Sequence, residues 1–282
     1  MAQVILVHGV GQQYRGAASL GADLGLALAD GVTSVGSTIQ QDDIAVSYYG
    51  SIFRPDAEYL GHVESDSDEA EEEFLLALWR NSAEVDKSIF PPDIEALSRF
   101  PQIAKRVLSA LDSSAIFGGL VGRALVGELR QLSRYLENDD IRSRVQDSLA
   151  GTVTADTSLI IGHSLGSVVA YETLCANLKW PPHTLITLGS PIGYQRLVFE
   201  RLRPAPLWDP VRGRRIGIWP GSALRWVNVF DPGDIVAART DLRLLFGDRV
   251  EQISVHNGPK AHEFRTYLSS PGVGAQVVAA LG

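Results

Sequence analysis

The feature that most constrains this chain is the segment GHSLG at residues 162–166, a G-x-S-x-G pentapeptide. It directly follows the apolar strand pattern Ser158–Gly162 and directly precedes an amphipathic helix pattern over Leu165–Leu178. Between a strand and a helix, this pentapeptide predicts a sharp, strained turn that lifts its central side chain above the sheet. We therefore expect Ser164 to be a nucleophile at the N-terminus of a helix, where the helix dipole favours developing negative charge.

Short runs rich in Val, Ile and Leu predict a sheet of buried strands. Near-continuous apolar runs are typical of parallel strands covered by helices on both faces. Helical patterns lie between the runs, at Ala17–Ala29, Leu165–Leu178 and Gly274–Leu281. This alternation predicts an α/β fold with a mostly parallel, doubly wound sheet. The predicted strands are Gln3–Val7, Ile44–Tyr49, Ser158–Gly162, Thr184–Leu188, Arg225–Phe230 and, more weakly, Val250–Val255.

The stretch from residue 51 to 151 interrupts this alternation of strands and helices, because its apolar residues recur at helical spacing and no convincing strand is present. We predict an α/β core formed by residues 1–50 and 152–282, with a helical cap or lid insertion formed by residues 51–151. Within the insertion, the apolar segment Ala115–Val126 leaves two alternatives open. We favour a cap helix that packs against the sheet domain, and the alternative is peripheral contact with a membrane surface.

Composition and charge exclude several classes of protein. Of the 282 residues, 45% are hydrophobic and 21% are charged, which is ordinary usage for a soluble globular protein. The net charge of −8 arises largely from an acidic run between Glu64 and Glu73, and no basic helix face indicates a nucleic-acid partner. Cys175 is the single cysteine, so no intramolecular disulfide can form. Without a secretory signal or a long apolar stretch, we expect a cytoplasmic protein.

The strand–GHSLG–helix arrangement resembles the nucleophile elbow of the α/β-hydrolase superfamily, and the pentapeptide is similar to that of lipases and related esterases. The resemblance covers roughly residues 1–50 and 152–282 and leaves out the insertion. It implies an oxyanion hole formed by the backbone N–H of Leu165 and by that of Val10 or Gly11, in the turn after the first strand. It also implies that the triad acid and then the triad base follow Ser164 along the chain.

The glycines at positions 9 and 11 leave a second interpretation open, a phosphate-binding loop. Tyr14 occupies the position where the dinucleotide fingerprint requires its third glycine, and no Walker-type lysine motif is present. We therefore predict no nucleotide and no other cofactor. We expect no metal site either, since the histidines lack metal-ligand spacing and a single cysteine cannot form a thiolate cluster.

Two aspartates and two histidines compete for the remaining triad positions. We favour Asp234 as the acid, because its Asp-x-Val context resembles that of lipase acids, and assign Asp231 to the shape of an Asp-Pro-Gly turn. For the base we favour His262, in a loop before the C-terminal helix, over His256, which directly follows a strand and has little loop with which to reach back. We expect His163, next to the nucleophile, to be structural.

These assignments predict a serine hydrolase that cleaves carboxylic esters through an acyl-enzyme. The resemblance implies a small-molecule or lipid ester as substrate, and the motif layout is also similar to that of esterases acting on glycerolipids or GPI-type lipids. The alternatives are amides or thioesters as substrates, or a non-catalytic binding module that keeps the fold. Six arginines from Arg196 to Arg215 would either attract an anionic head group or form a solvated basic loop. The sequence predicts no particular oligomeric state.

Overall fold

The computed structural model describes residues 2–54, 75–77, 79–80, 83, 87–91, 130–221, 224–237 and 241–282. These residues form a six-stranded sheet in the order β2-β1-β3-β4-β7-β8, in which every pairing is parallel, and a separate antiparallel hairpin of β5 and β6. The predicted α/β fold with a mostly parallel sheet is confirmed. The strands are β1 (Val4–Val7), β2 (Ile44–Ser47), β3 (Leu159–His163), β4 (Thr184–Leu188), β5 (Leu207–Asp209), β6 (Arg214–Ile216), β7 (Arg225–Phe230) and β8 (Val250–Ser254).

Helices cover both faces of the sheet. The α-helices that lie entirely within the described residues are α1 (Ala17–Thr33), α2 (Asp139–Ala150), α3 (Leu165–Ala176), α4 (Arg243–Phe246), α5 (Phe264–Leu268) and α6 (Pro271–Leu281). On one face, Leu6 of β1, Leu28 of α1 and Val277 of α6 belong to one buried cluster. On the other face, Trp226 of β7 contacts Tyr171 of α3, with ring centroids 5.4 Å apart. Because side chains alternate between the faces of a strand, this two-sided cover explains why β1, β3 and β4 are buried throughout.

Helix α1 packs closely against α6 and against the end of α5 at two glycines. A Cβ atom built at Gly274 of α6 would lie 2.0 Å from the Gly31 carbonyl oxygen of α1, and one built at Gly31 would lie 2.1 Å from the Leu268 carbonyl oxygen at the end of α5. Both distances are far shorter than any non-bonded carbon–oxygen contact. The backbones therefore pack directly against one another, which only the absence of side chains at these positions allows.

The hairpin is the part of the sheet structure that the sequence analysis did not predict. Its strands are only three residues each, and Trp208 lies directly opposite Arg215 in the pairing. Such short and largely exposed strands lack the long apolar runs by which buried strands are recognised. Helix α1 also extends further than its predicted end at Ala29, since it continues to Thr33.

The chain divides into two compact units, residues 1–52 with 140–282 and residues 53–139. Within the second unit, Trp79 Nε1 donates a hydrogen bond to the Phe90 carbonyl oxygen at 2.7 Å. The segment Ala115–Val126 lies outside the described residues, so its role as a cap helix or a membrane contact stays a prediction. No helix in the described ranges is both long and apolar enough to cross a bilayer.

Helix α2 falls inside the stretch we predicted as an insertion, yet almost all of it belongs to the first unit. A buried ion pair joins it to α3: Arg142 Nε lies 3.3 Å from Glu172 Oε2, and the two side chains are 4% and 0% exposed. Gln146 Nε2 donates to the same carboxylate at 3.1 Å, and the backbone N–H of Arg203 donates to it at 2.8 Å. This network holds α2 against the sheet domain and fixes the chain just before the hairpin.

Candidate active site

Ser164 occupies a strained turn between β3 and α3. Its φ of 51° makes it the one non-glycine residue with positive φ in the described part of the chain. Such a conformation costs about 1–3 kcal/mol and persists only where the surrounding structure enforces it. Two hydrogen bonds hold it here: Ser164 N–H donates to the Leu188 carbonyl oxygen at 3.1 Å, and the Ser167 hydroxyl donates to the Ser164 carbonyl oxygen at 2.5 Å.

Glycines on both sides of Ser164 permit this turn. A Cβ atom at Gly162 would lie 2.5 Å from the Gly166 carbonyl oxygen, and one at Gly166 would lie 2.2 Å from the Val7 carbonyl oxygen. Any side chain at these two positions would clash with backbone. The glycines therefore let α3 start close against the end of β1, which is the packing that the pentapeptide predicts.

Asp234 and His262 form a hydrogen-bonded acid–base pair. His262 Nδ1 lies 2.8 Å from Asp234 Oδ2, and the two side chains are 18% and 0% exposed. The other carboxylate oxygen, Asp234 Oδ1, accepts the backbone N–H groups of Val236 at 3.0 Å and Ala237 at 3.1 Å. The carboxylate is thus held in one orientation by backbone, and it fixes the orientation of the imidazole.

Tyr267 supplies a further hydrogen bond to the acid. Its hydroxyl donates to Asp234 Oδ2 at 2.9 Å and accepts the backbone N–H of Asp231 at 2.9 Å. Burial, and then the neighbouring Asp234 carboxylate, raises the pKa of Tyr267 far above its ordinary value, so the hydroxyl keeps its proton. Tyr267 therefore links the acid to the start of the loop that carries it.

His163 contacts the loop of the predicted base. Its Nε2 donates to the His262 carbonyl oxygen at 2.9 Å, and its ring stacks on Phe264 with centroids 4.7 Å apart. Burial, and then the nearby His262, lowers the pKa of His163 well below its usual value, so the ring is neutral. The residue that precedes Ser164 in sequence thus holds the loop of His262 in space.

The end of β4 connects the serine to the acid–base pair. Leu188 accepts the N–H of Ser164, and the next residue, Gly189, has a φ of 52°. A Cβ atom at Gly189 would lie 2.7 Å from Asp234 Oδ2 and 3.3 Å from His262 Nδ1. The end of β4 therefore contacts Ser164 through Leu188 and the Asp234–His262 pair around Gly189, at the carboxyl ends of neighbouring parallel strands, where open α/β sheets bind their ligands.

Asp231 and His256, the competing candidates for the triad, lie outside the Asp234–His262 hydrogen bond. Asp231 Oδ1 accepts the N–H of Gly233 at 2.6 Å, and Asp231 Oδ2 accepts the N–H of Asn257 in a short hydrogen bond. Asp231 therefore shapes its own turn and ties it to the loop before His262. His256 is exposed immediately after β8.

The turn after β1 lies directly against Ser164. A Cβ atom at Gly9 would lie 2.9 Å from Ser164 Cβ. Of the predicted oxyanion donors, Val10 and Leu165 are buried, and Gly11 has a φ of 79°. The predicted oxyanion turn and the predicted nucleophile are therefore neighbours.

His8 fixes the orientation of this turn. Its Nδ1 donates to the Gly9 carbonyl oxygen at 2.6 Å, and its Nε2 accepts the N–H of Tyr49 at 3.2 Å. Burial lowers the pKa of His8 to about 4, so the ring is neutral, as one donor and one acceptor nitrogen require. In a trans peptide the C=O and N–H point in opposite directions, so holding the Gly9 carbonyl also sets the direction of the Val10 N–H.

Three residues of this site were not assigned a place in it from the sequence: Tyr267, Gly189 and, as a support of the base, His163. Only His163 carried a signal, its position inside the pentapeptide. Within the described ranges, no group of three or more His, Cys, Asp and Glu side chains is arranged to hold a metal ion. A scan against models of known protein families and a search among curated proteins found no match for this chain.

Proposed function

We propose that this protein is a serine hydrolase that cleaves carboxylic esters, with Ser164 as nucleophile, His262 as general base and Asp234 as the acid that orients it. The observation that carries the proposal is the 2.8 Å hydrogen bond between His262 Nδ1 and Asp234 Oδ2, beside a serine with positive φ. A strained serine at the start of a helix and a carboxylate-oriented imidazole are the two parts that acyl transfer to a hydroxyl requires.

The reaction follows from the roles of the two imidazole nitrogens. Because Nδ1 of His262 donates to Asp234, Nε2 is the nitrogen that accepts the proton of the Ser164 hydroxyl as the oxygen attacks the ester carbonyl. The tetrahedral oxyanion accepts the N–H of Leu165 and that of Val10 or Gly11. His262 then gives its proton to the leaving alcohol, which leaves an acyl-serine.

Deacylation repeats these steps with water. His262 takes a proton from a water molecule as its oxygen attacks the acyl carbon, and the proton then returns to Ser164 as the acid is released. Apart from the ester and the water molecule, these steps use only groups of the chain. We propose small-molecule or lipid esters as substrates of this hydrolase and the cytoplasm as its location.

A fluorophosphonate probe tests the nucleophile directly, because it phosphonylates an activated serine. We expect the protein to be labelled, Ser164→Ala to abolish the labelling, and Ser143→Ala, an exposed serine on α2, to leave it intact. Labelling that survives in Ser164→Ala contradicts the assignment. No labelling of the unaltered protein favours a binding module that only keeps the fold.

The leaving group is tested with p-nitrophenyl esters of varied acyl length, beside matched anilides and thioesters. We expect the esters to have the highest kcat/KM. A higher kcat/KM for an anilide or a thioester of the same acyl group would replace the ester assignment while leaving the triad in place.

A further inference from the structure

The β5–β6 hairpin exposes large apolar side chains to solvent. Leu207 and Trp208 are each 63% exposed, and Val211, in the turn, is 92% exposed. Isolated apolar side chains are common on protein surfaces, but a short segment that presents three of them indicates a contact with another apolar phase. This hairpin belongs to the sheet-containing unit and lies outside the predicted triad.

The turn of the hairpin is held rigidly. Asp209 Oδ1 accepts the N–H of Val211 at 2.8 Å and that of Arg212 at 3.0 Å, while Asp209 Oδ2 pairs with the Arg212 guanidinium at 2.6 Å. Gly213, with a φ of 63°, closes the turn by donating its N–H to the Asp209 carbonyl oxygen at 2.9 Å. The hydrogen bonds of the turn therefore hold Val211 in an exposed position, and no partner molecule is needed to order the turn.

The hairpin is cationic in an acidic protein. Residues 203–216 contain four arginines and one aspartate, whereas the whole chain has a net charge of −8. Trp208 and Arg215 lie opposite each other in the strand pairing, so their side chains share one face of the ribbon. Arg215 is exposed, and its guanidinium gives one of its five N–H donors to the Pro206 carbonyl oxygen at 3.1 Å.

We propose that this hairpin docks the protein onto a lipid bilayer that carries anionic head groups. Trp208 and Val211 enter the interfacial region, where an amphipathic indole is favoured, and Arg215 pairs with lipid phosphates. An anionic surface attracts the hairpin and repels the rest of the acidic chain, so the charge distribution selects one orientation. This proposal does not depend on the hydrolase activity.

The test is cosedimentation of the full chain with vesicles, one set of phosphatidylcholine alone and one of phosphatidylcholine mixed with phosphatidylserine. We expect binding to the mixed vesicles, weaker binding to the neutral ones, and a decrease with rising salt. Arg215→Glu and Trp208→Ala should each lower the partition coefficient about fivefold or more, the order expected for one interfacial arginine. Arg144→Glu and Leu178→Ala are matched controls, because Arg144 has a side chain 57% exposed on α2 and Leu178 is 63% exposed.

Each outcome decides for or against the proposal. Loss of binding in the two hairpin variants, with normal binding of the two controls and unchanged circular dichroism, supports it. Absence of binding to mixed vesicles, equal binding to both vesicle types, or equal losses in hairpin and control variants would overturn it. A concentration-dependent dimer that Trp208→Ala abolishes, without vesicle binding, would instead assign the hairpin to contact between copies.

Discussion

Gly9 is the residue at which the predicted oxyanion turn lies against the proposed nucleophile, Ser164. Because a Cβ atom there would come within 2.9 Å of Ser164 Cβ, we expect Gly9→Ala to displace the turn and its N–H donor. The kcat on a p-nitrophenyl ester should fall about 100-fold or more, the usual cost of one lost oxyanion donor. Gly16→Ala is the control, since a Cβ there would contact only Ser19 Oγ, at 3.7 Å. Equal kcat in both variants would contradict this role of the turn.

His262 and His256 can be distinguished by exchange of each for alanine. We expect His262→Ala to lower kcat by about four orders of magnitude, since the serine then has no base to accept its proton. His256→Ala should leave kcat within a factor of about two, because that residue is exposed after β8. The reverse pattern in the same ester assay would move the base to His256.

Tyr267 is expected to adjust the acid rather than take part in the chemistry. Tyr267→Phe removes a hydrogen-bond donor to Asp234 Oδ2. Without that donor, Asp234 Oδ2 pairs more strongly with a protonated His262. We expect kcat/KM to fall about tenfold, the order of one hydrogen bond to a charged group, and the acid limb of its pH profile to move to higher pH. Tyr171→Phe, which loses a 2.7 Å bond to the Ile218 carbonyl oxygen, should leave the profile in place. A profile unchanged in Tyr267→Phe would reduce Tyr267 to a packing residue.

Among the elements, α2 is held in place by the ion pair between Arg142 and Glu172, which is buried and therefore not screened by water. Glu172→Gln removes the carboxylate from a buried ion pair, so we expect a loss of about 3–5 kcal/mol in the free energy of unfolding. Glu251→Gln breaks the partly exposed pair with Arg225, whose side chains are 47% and 32% exposed, and should cost less than about 1 kcal/mol. Urea denaturation measures both. Similar losses in the two variants would show that burial of the first pair has no energetic consequence.

The elements that could be predicted from the sequence are those in which most consecutive residues are apolar because the element is buried. Thr184–Leu188 and Arg225–Phe230 have the predicted bounds because a strand covered on both faces is mostly apolar along its length. The hairpin is short and exposed, so no periodic pattern distinguishes it from a loop. The same limit applies to the site. The backbone conformation of Ser164 is determined by a local turn, so neighbouring residues predict it. The contact of Tyr267 with Asp234 arises only when distant segments pack, so no local pattern predicts it.

For the whole molecule, the buried histidines make stability dependent on pH. The pKa of His8 is lowered to about 4 by burial, against about 6.5 in an unfolded chain, so between these values the unfolded state binds more protons. Stability is then complete above pH about 6.5 and falls as the pH decreases to about 4, by about 3 kcal/mol for His8 alone. His163, whose pKa is also lowered, acts in the same direction.

His8→Asn isolates this contribution, because an asparagine amide can still donate to Gly9 from the position of Nδ1 without titrating. We expect the free energy of unfolding of this variant to vary less with pH between about 4 and 6.5 than that of the unaltered protein. Parallel curves for the two proteins would assign the acid sensitivity to other groups. His183→Asn, at an exposed histidine before β4, is the matched control.

The glycine crossing of α1 and α6 has a consequence for the placement of the catalytic groups. The oxyanion turn leads into α1, and the loop of His262 leads through α5 into α6. For the proposed hydrolase, we expect the spacing between these helices to influence the distance between the predicted oxyanion turn and His262. An added methyl group at Gly31 or Gly274 should then lower activity without altering any of the proposed reacting groups.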